Sequence, residues 1–460
     1  MTPRDTDSVA AVLPQRGWLI ALRRHRLLSQ VLLVAGGTAG AQALSLAFAP
    51  LITRLFSPDA FGLAGSFSAL VSVVAPLAAL TYPVAMVLPP RDEDARGLAR
   101  LSMGLAVLLA LAAVAALTVL QPLLDRHLDP RLAAMLIWLL PVAMLLAAMQ
   151  QVMQQWLIRR QRFGVTAKVA MIHALVLNLA KATGGVLHPV GVTLVLVTAA
   201  ASGLNALLLW WADRRLGDGL VGEGRGAPWR ELARRHRDFP LYRAPQVTLN
   251  ALSQSLPVLL LAAFFGTAAA GHYSLAASVL AAPMVLLAKS VNDVFYPHVA
   301  SAVNRGEPIT ASLAKTTLVM AAVGLVPFGA MVVLGPWLFA LLFGDPWWQA
   351  GEYARWMAVW LYFAFLNKPS VASIASLGLQ RGFLIYEVLS VLGRVAALYV
   401  GFRVYHSDLV AVVAFSLVGA MLNLALVGVT LLRARRRDHQ LLRNPGALHG
   451  DGSCGLRKET

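Results

Sequence analysis

The sequence predicts an all-α integral membrane protein with about 12 transmembrane helices. Of its 460 residues 58% are hydrophobic, and the mean hydropathy is +0.67. Only 13% are charged, against roughly 25% in an average soluble domain. A water-soluble fold of this length has no room to bury so much apolar surface. Long apolar runs separated by short basic segments repeat along the whole chain.

Each predicted helix is a run of about 20 mostly apolar residues, the length that crosses a bilayer. Inside lipid, only helices and closed barrels satisfy the backbone, and the alternating pattern of a β-barrel is absent from the sequence. In chain order, the predicted spans lie near Leu28–Ile52, Phe61–Leu88, Leu98–Leu120, Leu132–Ile158, Val165–Leu187, Gly191–Ala212, Pro245–Phe265, His272–Tyr296, Ser312–Leu334, Glu352–Leu377, Phe383–Phe402 and Leu409–Leu432.

The basic residues between the spans predict the orientation. With the N-terminus inside, 28 Lys and Arg residues fall in cytoplasmic segments and 4 fall outside, at Arg54, Arg126, Arg131 and Arg403. Cytoplasmic loops carry an excess of these residues, so both termini are expected in the cytoplasm.

The organisation is predicted as two halves joined by a basic linker. We expect a cytoplasmic N-terminal segment (1–27), six helices (28–212), a cytoplasmic linker (213–243), six more helices (244–432) and a cytoplasmic basic tail (433–460). Six helices per half allow the halves to be parallel repeats, as in many transporters. A weak internal repeat favours this arrangement. After the first helix of each half, a Phe is followed six residues later by a Gly, at Phe56 and Gly62 and again at Phe265 and Gly271.

Several functional classes are disfavoured. The net charge of +17 is spread between apolar runs and forms no continuous basic face, so no nucleic-acid partner is expected. The one cysteine, Cys454, excludes an internal disulfide, and the scattered histidines predict no metal site. Gly217-x-Gly219-x-x-Gly222 matches a dinucleotide fingerprint in form but lacks the preceding strand that the mechanism needs. We therefore predict neither an enzyme nor a bound cofactor.

The informative residues are the charges inside the apolar runs, because each is costly unless it faces water or a partner. Seven basic residues lie there: Lys168, Lys181, Lys289, Lys315, Arg355, Lys368 and Arg394. Acids within the spans are few, chiefly Asp293 and Glu387. A cavity lined by unpaired cations favours an anion such as a phosphate or diphosphate.

Each cation also has a purely structural interpretation. Lys315, Arg355 and Lys168 lie near span ends, from which their side chains reach the interface. Lys289 and Asp293 are four residues apart and form either an ion pair or part of a site. The same choice applies to Arg394, seven residues after Glu387. Lys181 and Lys368 have no nearby acid in sequence, and a cavity-facing role is favoured for both. Asp293 or Glu387 is the candidate for coupling transport to H+ or Na+.

Four blocks of sequence resemble one family. The segment Pro50–Gly62, P-L-I-T-R-L-F-S-P-D-A-F-G, resembles the opening of the polysaccharide-biosynthesis flippases, the O-antigen type of lipid-linked oligosaccharide transporter. Similar blocks are Tyr82–Arg96, Asp238–Gly271 and Leu338–Gly351, so the likeness extends over nearly the whole chain. The family lies in the multidrug, oligosaccharidyl-lipid and polysaccharide exporter superfamily.

The resemblance implies two six-helix bundles around a central cavity in the bacterial inner membrane. It implies transport of an undecaprenyl-diphosphate-linked anionic glycan from the cytoplasmic to the periplasmic leaflet. The implied partners are this substrate, the membrane lipid around the protein, and polysaccharide polymerase and chain-length proteins. It carries Arg54 over as a residue near the outer mouth, where interface anchoring is the other reading. The substrate-binding residues proposed at this stage are Arg54, Lys168, Lys181, Lys289, Lys368 and Arg394.

Two other functions remain open. A multidrug antiporter of the same architecture would export cationic drugs and should carry an acid deep in its first six spans, whose central portions contain none. A polytopic enzyme of glycan assembly would need a large periplasmic loop with catalytic residues. The longest candidate, Gly335–Gly351, is short and contains only Asp345 as an acid.

Overall fold

The chain is helical throughout the part that the computed structural model describes, with no strand in that part. The described residues are 15–127, 130–215, 217, 219–220, 227–281, 307–374, 377 and 379–443. For the helical stretches 15–32, 123–127, 130–134 and 442–443, the description covers the backbone alone.

Seven helices make up the first half. They are α1 (Gln15–Leu55), α2 (Pro58–Ala78), the single turn α3 (Tyr82–Ala85), α4 (Asp92–His127), α5 (Pro130–Arg159), α6 (Phe163–Leu187) and α7 (Gly191–Arg215). Helix α1 packs along α6, while α5 packs between α4 and α7, and α2 lies against α5 and α7. Large apolar side chains from α2, α5 and α7 bury one another there, with Phe67 fully covered.

Within the described residues, the linker and the second half contain eight more α-helices. They are α8 (Trp229–Arg235), α9 (Ala244–Phe265), α10 (residues 267–281), α11 (Thr310–Phe343), α12 (Trp348–Leu366), α13 (Lys368–Ser373), α14 (Gln380–Val400) and α15 (Asp408–Arg443). A π-helical turn, Phe239–Arg243, runs directly into α9, a 3-10 turn, Asp345–Trp347, precedes α12, and a second π-helical turn, Gly401–Tyr405, follows α14. Helices α11, α12 and α15 share a large aromatic core in which Trp347, Phe339 and Tyr353 are at most 1% exposed.

Ten helices within the described residues are long and apolar enough to cross a membrane, and they match ten of the twelve predicted spans. The predicted span 272–296 is described only as far as residue 281. The predicted span 352–377 is interrupted, because α12 ends at Leu366 and α13 begins at Lys368. Pro369 explains the break, since its nitrogen has no N–H to donate to the carbonyl of Phe365, four residues earlier, and its ring crowds that carbonyl.

The predicted span 61–88 also ends earlier than expected, at Ala78. Leu80 and Thr81 adopt left-handed backbone angles, with φ of 48° and 56°, so the chain turns before α3. The Thr81 hydroxyl donates to the carbonyl of Phe239 at 3.1 Å. The linker is therefore packed against the first half at this end.

The predicted basic tail is structured at its start. Helix α15 continues to Arg443, and Asp438 on its last turns is 8% exposed. The Asp438 carboxylate accepts the backbone N–H of Ile309 at 3.2 Å, and that of Thr310 at 2.9 Å together with the Thr310 hydroxyl at 2.6 Å. It therefore caps the beginning of α11 from another helix, where a negative charge also meets the positive end of the helix dipole.

Replacing this cap should destabilise the second half. We expect Asp438→Ala to lower the free energy of unfolding by about 2–3 kcal/mol, because three donors at the start of α11 lose a charged acceptor. The thermal unfolding midpoint of the purified protein in detergent measures the loss. Glu387→Ala, which removes an exposed carboxylate from α14, should leave that midpoint unchanged. Equal midpoints for both variants would contradict a capping role for Asp438.

Candidate functional site

A cavity of about 350 Å³ lies between the two halves. Its walls come from α1, α2, α6 and α7 of the first half and from α10 of the second. Hydroxyl and amide groups converge on it together with a single cationic side chain. The polar residues of the wall are Gln42, Ser45, Ser68, Asn178, Lys181, Thr198, Ser274 and Ser278.

Lys181 is the charged residue of this wall. It lies on α6, one turn after Asn178, and no carboxylate oxygen of the described residues approaches its amine within 4.0 Å. The Asn178 amide donates to the Ser45 hydroxyl of α1 at 3.1 Å, and this bond holds α6 against α1. It also donates to the carbonyl of Ala174, on its own helix, at 2.7 Å. The cavity thus presents an ammonium group beside neutral donors and contains no acid among its lining residues.

Arg394 occupies a different position, between α9 and α14. Its guanidinium lies 5.4 Å from the ring centre of Trp360 and 5.7 Å from that of Phe415, and its Nε donates to the carbonyl of Ser390 at 3.0 Å. The space beside it holds only about 10 Å³. Among the described residues no carboxylate lies within 4.0 Å of it, so of the two interpretations offered by the sequence, the ion pair with Glu387 is not formed, and aromatic faces surround the guanidinium instead.

The remaining predicted site residues are dispersed. Arg54 is exposed at the last turn of α1, and Lys168 is exposed on α6. Lys368 is half-buried as the first residue of α13, and Glu387 is exposed on α14. Lys289 and Asp293 lie outside the described residues. Of the two further intramembrane cations, Lys315 is exposed and Arg355 pairs with Glu352 at 3.2 Å.

The amides of Asn367 and Asn423 in the second half belong to a buried network and not to the cavity wall. The Asn367 amide donates to the Asn423 side-chain oxygen at 2.9 Å, and Asn423 donates to the carbonyl of Gly419 at 2.7 Å. The Tyr386 hydroxyl reaches the same Asn423 oxygen at 3.3 Å. These amides therefore serve interhelical packing, the commoner use of such groups in membranes. Gln42 and Asn178, in contrast, line the cavity.

The two halves make close contact at one end of the cavity, where the glycines of the repeated Phe-to-Gly spacing meet. A Cβ at Gly62 would overlap the carbonyl of Thr267, and a Cβ at Gly271 would overlap the carbonyl of Pro58. The backbones of α2 and α10 can approach so closely only because both positions are glycine. The repeated Phe-to-Gly spacing thus identifies equivalent positions of the two halves that are in contact.

Side chains around this contact extend it. Trp347 donates its indole N–H to the carbonyl of Thr53 at 3.0 Å and packs edge-on against Phe61 at 4.8 Å. The Thr267 hydroxyl donates to the Asp59 carboxylate at 2.6 Å. We call this set, centred on Gly62 and Gly271, the closing contact. It lies at the end of the cavity at which α1 ends and α2 begins.

The residues that line the cavity include one cation, several hydroxyl and amide groups, and no acid. An ammonium group with hydroxyl and amide donors in a confined space stabilises phosphate oxygens through charge-assisted hydrogen bonds. Within the described residues, no group of three or more His, Cys, Asp or Glu side chains is placed to hold a metal ion.

The hydroxyl residues of the wall, such as Ser274 and Thr198, carry no distinguishing signal in sequence, because membrane helices use serine and threonine throughout.

Comparison with known proteins identifies a family model and a shared fold. The model described as polysaccharide biosynthesis protein matches residues 51–352. None of the curated proteins compared with the chain matches it in sequence. An inward-facing multidrug resistance transporter of the MATE family and MOP superfamily has a TM-score of 0.66 at 15% identity, over 87% of this chain and 96% of its own.

Two further structures have the same fold. The lipid II flippase MurJ, in an inward closed conformation, has a TM-score of 0.64 at 13% identity and covers 90% of this chain and 91% of its own. A MOP superfamily transporter from Pyrococcus furiosus, described as having a binding pocket of reverse polarity, has a TM-score of 0.52 at 13% identity, over 90% and 96% of the two chains. At such identities these likenesses establish the architecture alone.

Proposed function

Because the chain belongs to the polysaccharide biosynthesis protein family, we propose that it is a flippase for a lipid-linked glycan. The substrate we propose is an undecaprenyl-diphosphate-linked oligosaccharide, moved from the cytoplasmic to the periplasmic leaflet of a bacterial inner membrane. The known structures that share its fold are transporters and a flippase, not enzymes. The lipid II flippase handles a lipid-linked substrate, as its name states.

The observation that carries the proposal is Lys181 in the polar cavity between the halves. An ammonium group in this setting, with no carboxylate of the described residues within 4.0 Å, is costly when the cavity is empty and is stabilised by an anion. The diphosphate of a lipid carrier supplies several acceptor oxygens on one head group. In the proposed bound state Lys181 contacts these oxygens, while Asn178 and Ser274 donate to the diphosphate or the first sugar.

The proposed mechanism is alternating access by movement of one half against the other. The closing contact seals the end where α1 meets α2, which the distribution of basic residues assigns to the periplasm. In this state the cavity receives a head group from the cytoplasmic side, while the polyprenyl tail stays in lipid beside the gap between the halves. Opening of the closing contact then releases the head group outward.

The driving force is proposed to be an ion gradient. Asp293 and Glu387 are the chief acidic residues that the sequence places within the predicted spans, and H+ or Na+ is the proposed coupling ion. Glu387 is exposed on α14, outside the cavity that contains Lys181. Polysaccharide polymerase and chain-length proteins remain the proposed partners that consume the flipped product.

A multidrug exporter is the second candidate, because the MATE transporter matches this fold with a TM-score of 0.66, against 0.64 for the lipid II flippase. Cationic drugs need an acidic or aromatic cavity, whereas the residues lining this one include a lysine and no acid. The charge of the wall thus favours the anionic substrate. The two candidates predict opposite effects of losing Lys181, because removing a positive charge would aid the binding of a cation.

Deletion of the gene tests the proposal. Without the flippase, lipid-linked repeat units should accumulate on the cytoplasmic leaflet and surface polysaccharide should disappear, because no other step of the pathway exposes the head group outside. Extraction of lipid-linked glycans and staining of surface polysaccharide measure both quantities, and a plasmid copy should restore them. Normal surface polysaccharide in the deletion strain, or a gain in sensitivity to cationic drugs alone, would refute the flippase function.

A further inference from the structure

A second recess of about 550 Å³ lies on the outside of the first half, between α4 and the segment that leads into α8. We call it the α4–α8 groove. Its volume lies within the range of about 300–1,000 Å³ of small-molecule sites. Its lining is mostly apolar, with one cation. The residues that matter for its chemistry are Arg100, Leu101, Gly104, Leu105, Leu108 and Trp229.

The groove exists because the linker is fixed to α4 at one point and stands away from it further along. The backbone N–H of Ala227 donates to the Asp94 carboxylate at 2.9 Å. Leu232 of α8 is 1% exposed and packs where Gly97 has no side chain. Two turns later, a Cβ at Gly104 would have no neighbour within 4 Å, so the floor of the groove is open.

The two ends of the groove differ in polarity. One end runs along Leu105 and Leu108 into the apolar part of α4, which is long enough to span the membrane, and Leu108 is 61% exposed. The other end carries Arg100 and Trp229, with the Arg230 guanidinium 5.2 Å from the Trp229 ring centre. In the described part of the chain, neither arginine has a carboxylate oxygen within 4.0 Å.

We propose that the α4–α8 groove binds a phospholipid with an anionic head group. One acyl chain lies over Gly104 against Leu105 and Leu108, and the phosphate lies between Arg100 and Arg230. Trp229 sits at the level of the head groups, where tryptophan is enriched in membrane proteins. Basic side chains beside a span attract anionic lipids of the cytoplasmic leaflet. This inference does not depend on the proposed transport function.

Lipid retention by the purified full-length protein tests the site. Native mass spectrometry in detergent, with phosphatidylglycerol or phosphatidylcholine added, measures the bound fraction. We expect phosphatidylglycerol to be retained in preference to phosphatidylcholine. Arg100→Gln combined with Arg230→Gln should weaken its binding by about thirtyfold, since two basic contacts are lost. Gly104→Leu should abolish it by filling the floor while leaving both charges in place.

Two matched variants control for unspecific effects. Arg381→Gln removes an exposed arginine at the start of α14, and Gly329→Leu places a side chain in open space on α11. Both should retain phosphatidylglycerol like the original protein. Unchanged retention in Gly104→Leu, equal retention of the two phospholipids, or binding of undecaprenyl phosphate with exclusion of phosphatidylglycerol would each overturn the assignment.

Discussion

Lys181→Met is expected to reduce the rate of lipid-linked glycan flipping by about thirtyfold or more. Truncating one member of a buried, hydrogen-bonded charge pair costs about 2–5 kcal/mol, and 1.4 kcal/mol is a factor of ten. Methionine keeps most of the length of the side chain but has neither its charge nor its N–H donors. Complementation of the deletion strain, with surface polysaccharide normalised to the amount of protein in the membrane, measures the loss.

Two substitutions separate the charge at this site from charge elsewhere. Lys181→Arg keeps a cation in the cavity and should retain a substantial part of the activity. Lys315→Met removes an exposed lysine from the spanning helix α11 and should leave activity unchanged. If Lys181→Met complements as fully as Lys315→Met, the cavity lysine has no part in binding the substrate.

Gly271→Val should abolish transport by preventing the closing contact from forming. The new side chain would overlap the carbonyl of Pro58, and backbone cannot move aside as the end of a flexible side chain can. Overpacking a close contact costs about 1–3 kcal/mol, which is enough to shift the equilibrium towards the state in which the closing contact is open. Gly62→Val should act in the same way from the opposite helix.

Disulfide cross-linking reports on this contact directly. Asp59 and Thr267 are hydrogen-bonded across it, so Asp59→Cys with Thr267→Cys, in a Cys454→Ser background, should cross-link under mild oxidation. Adding Gly271→Val should suppress the cross-link, whereas adding Gly329→Val, in open space on α11, should not. Transport and cross-linking that persist in the Gly271→Val protein would show that the halves close elsewhere.

Much of the architecture follows from hydropathy, because apolar length and basic loops are properties of the chain itself. The differences arise where local backbone chemistry overrides composition. Pro369 breaks the predicted tenth span, and the left-handed turn at Leu80 and Thr81 ends the second. Asp438 was assigned to a polar tail because its partners, Ile309 and Thr310, are remote in sequence and near only in the folded chain.

The site was harder to predict than the fold. Sequence identifies which cations lie within the membrane but leaves open which way each points, because that depends on how every helix is rotated about its axis. The sequence favours a cavity-facing role for Lys181, and it lines the cavity between the halves; for Arg394 the sequence leaves open an ion pair or a site, and it packs against the rings of Trp360 and Phe415. Gly62 and Gly271 offered only a weak spacing match, and their contact becomes evident once α2 and α10 are side by side.

Binding of the carrier lipid to the purified protein tests the central claim most directly. Undecaprenyl diphosphate and undecaprenol differ only in the head group, so native mass spectrometry of the protein with each lipid measures recognition of the diphosphate. We predict retention of undecaprenyl diphosphate over undecaprenol, and loss of that preference in Lys181→Met but not in Lys181→Arg. Equal retention of the two lipids by the original protein, or an unchanged preference in Lys181→Met, would contradict an anion site in this cavity.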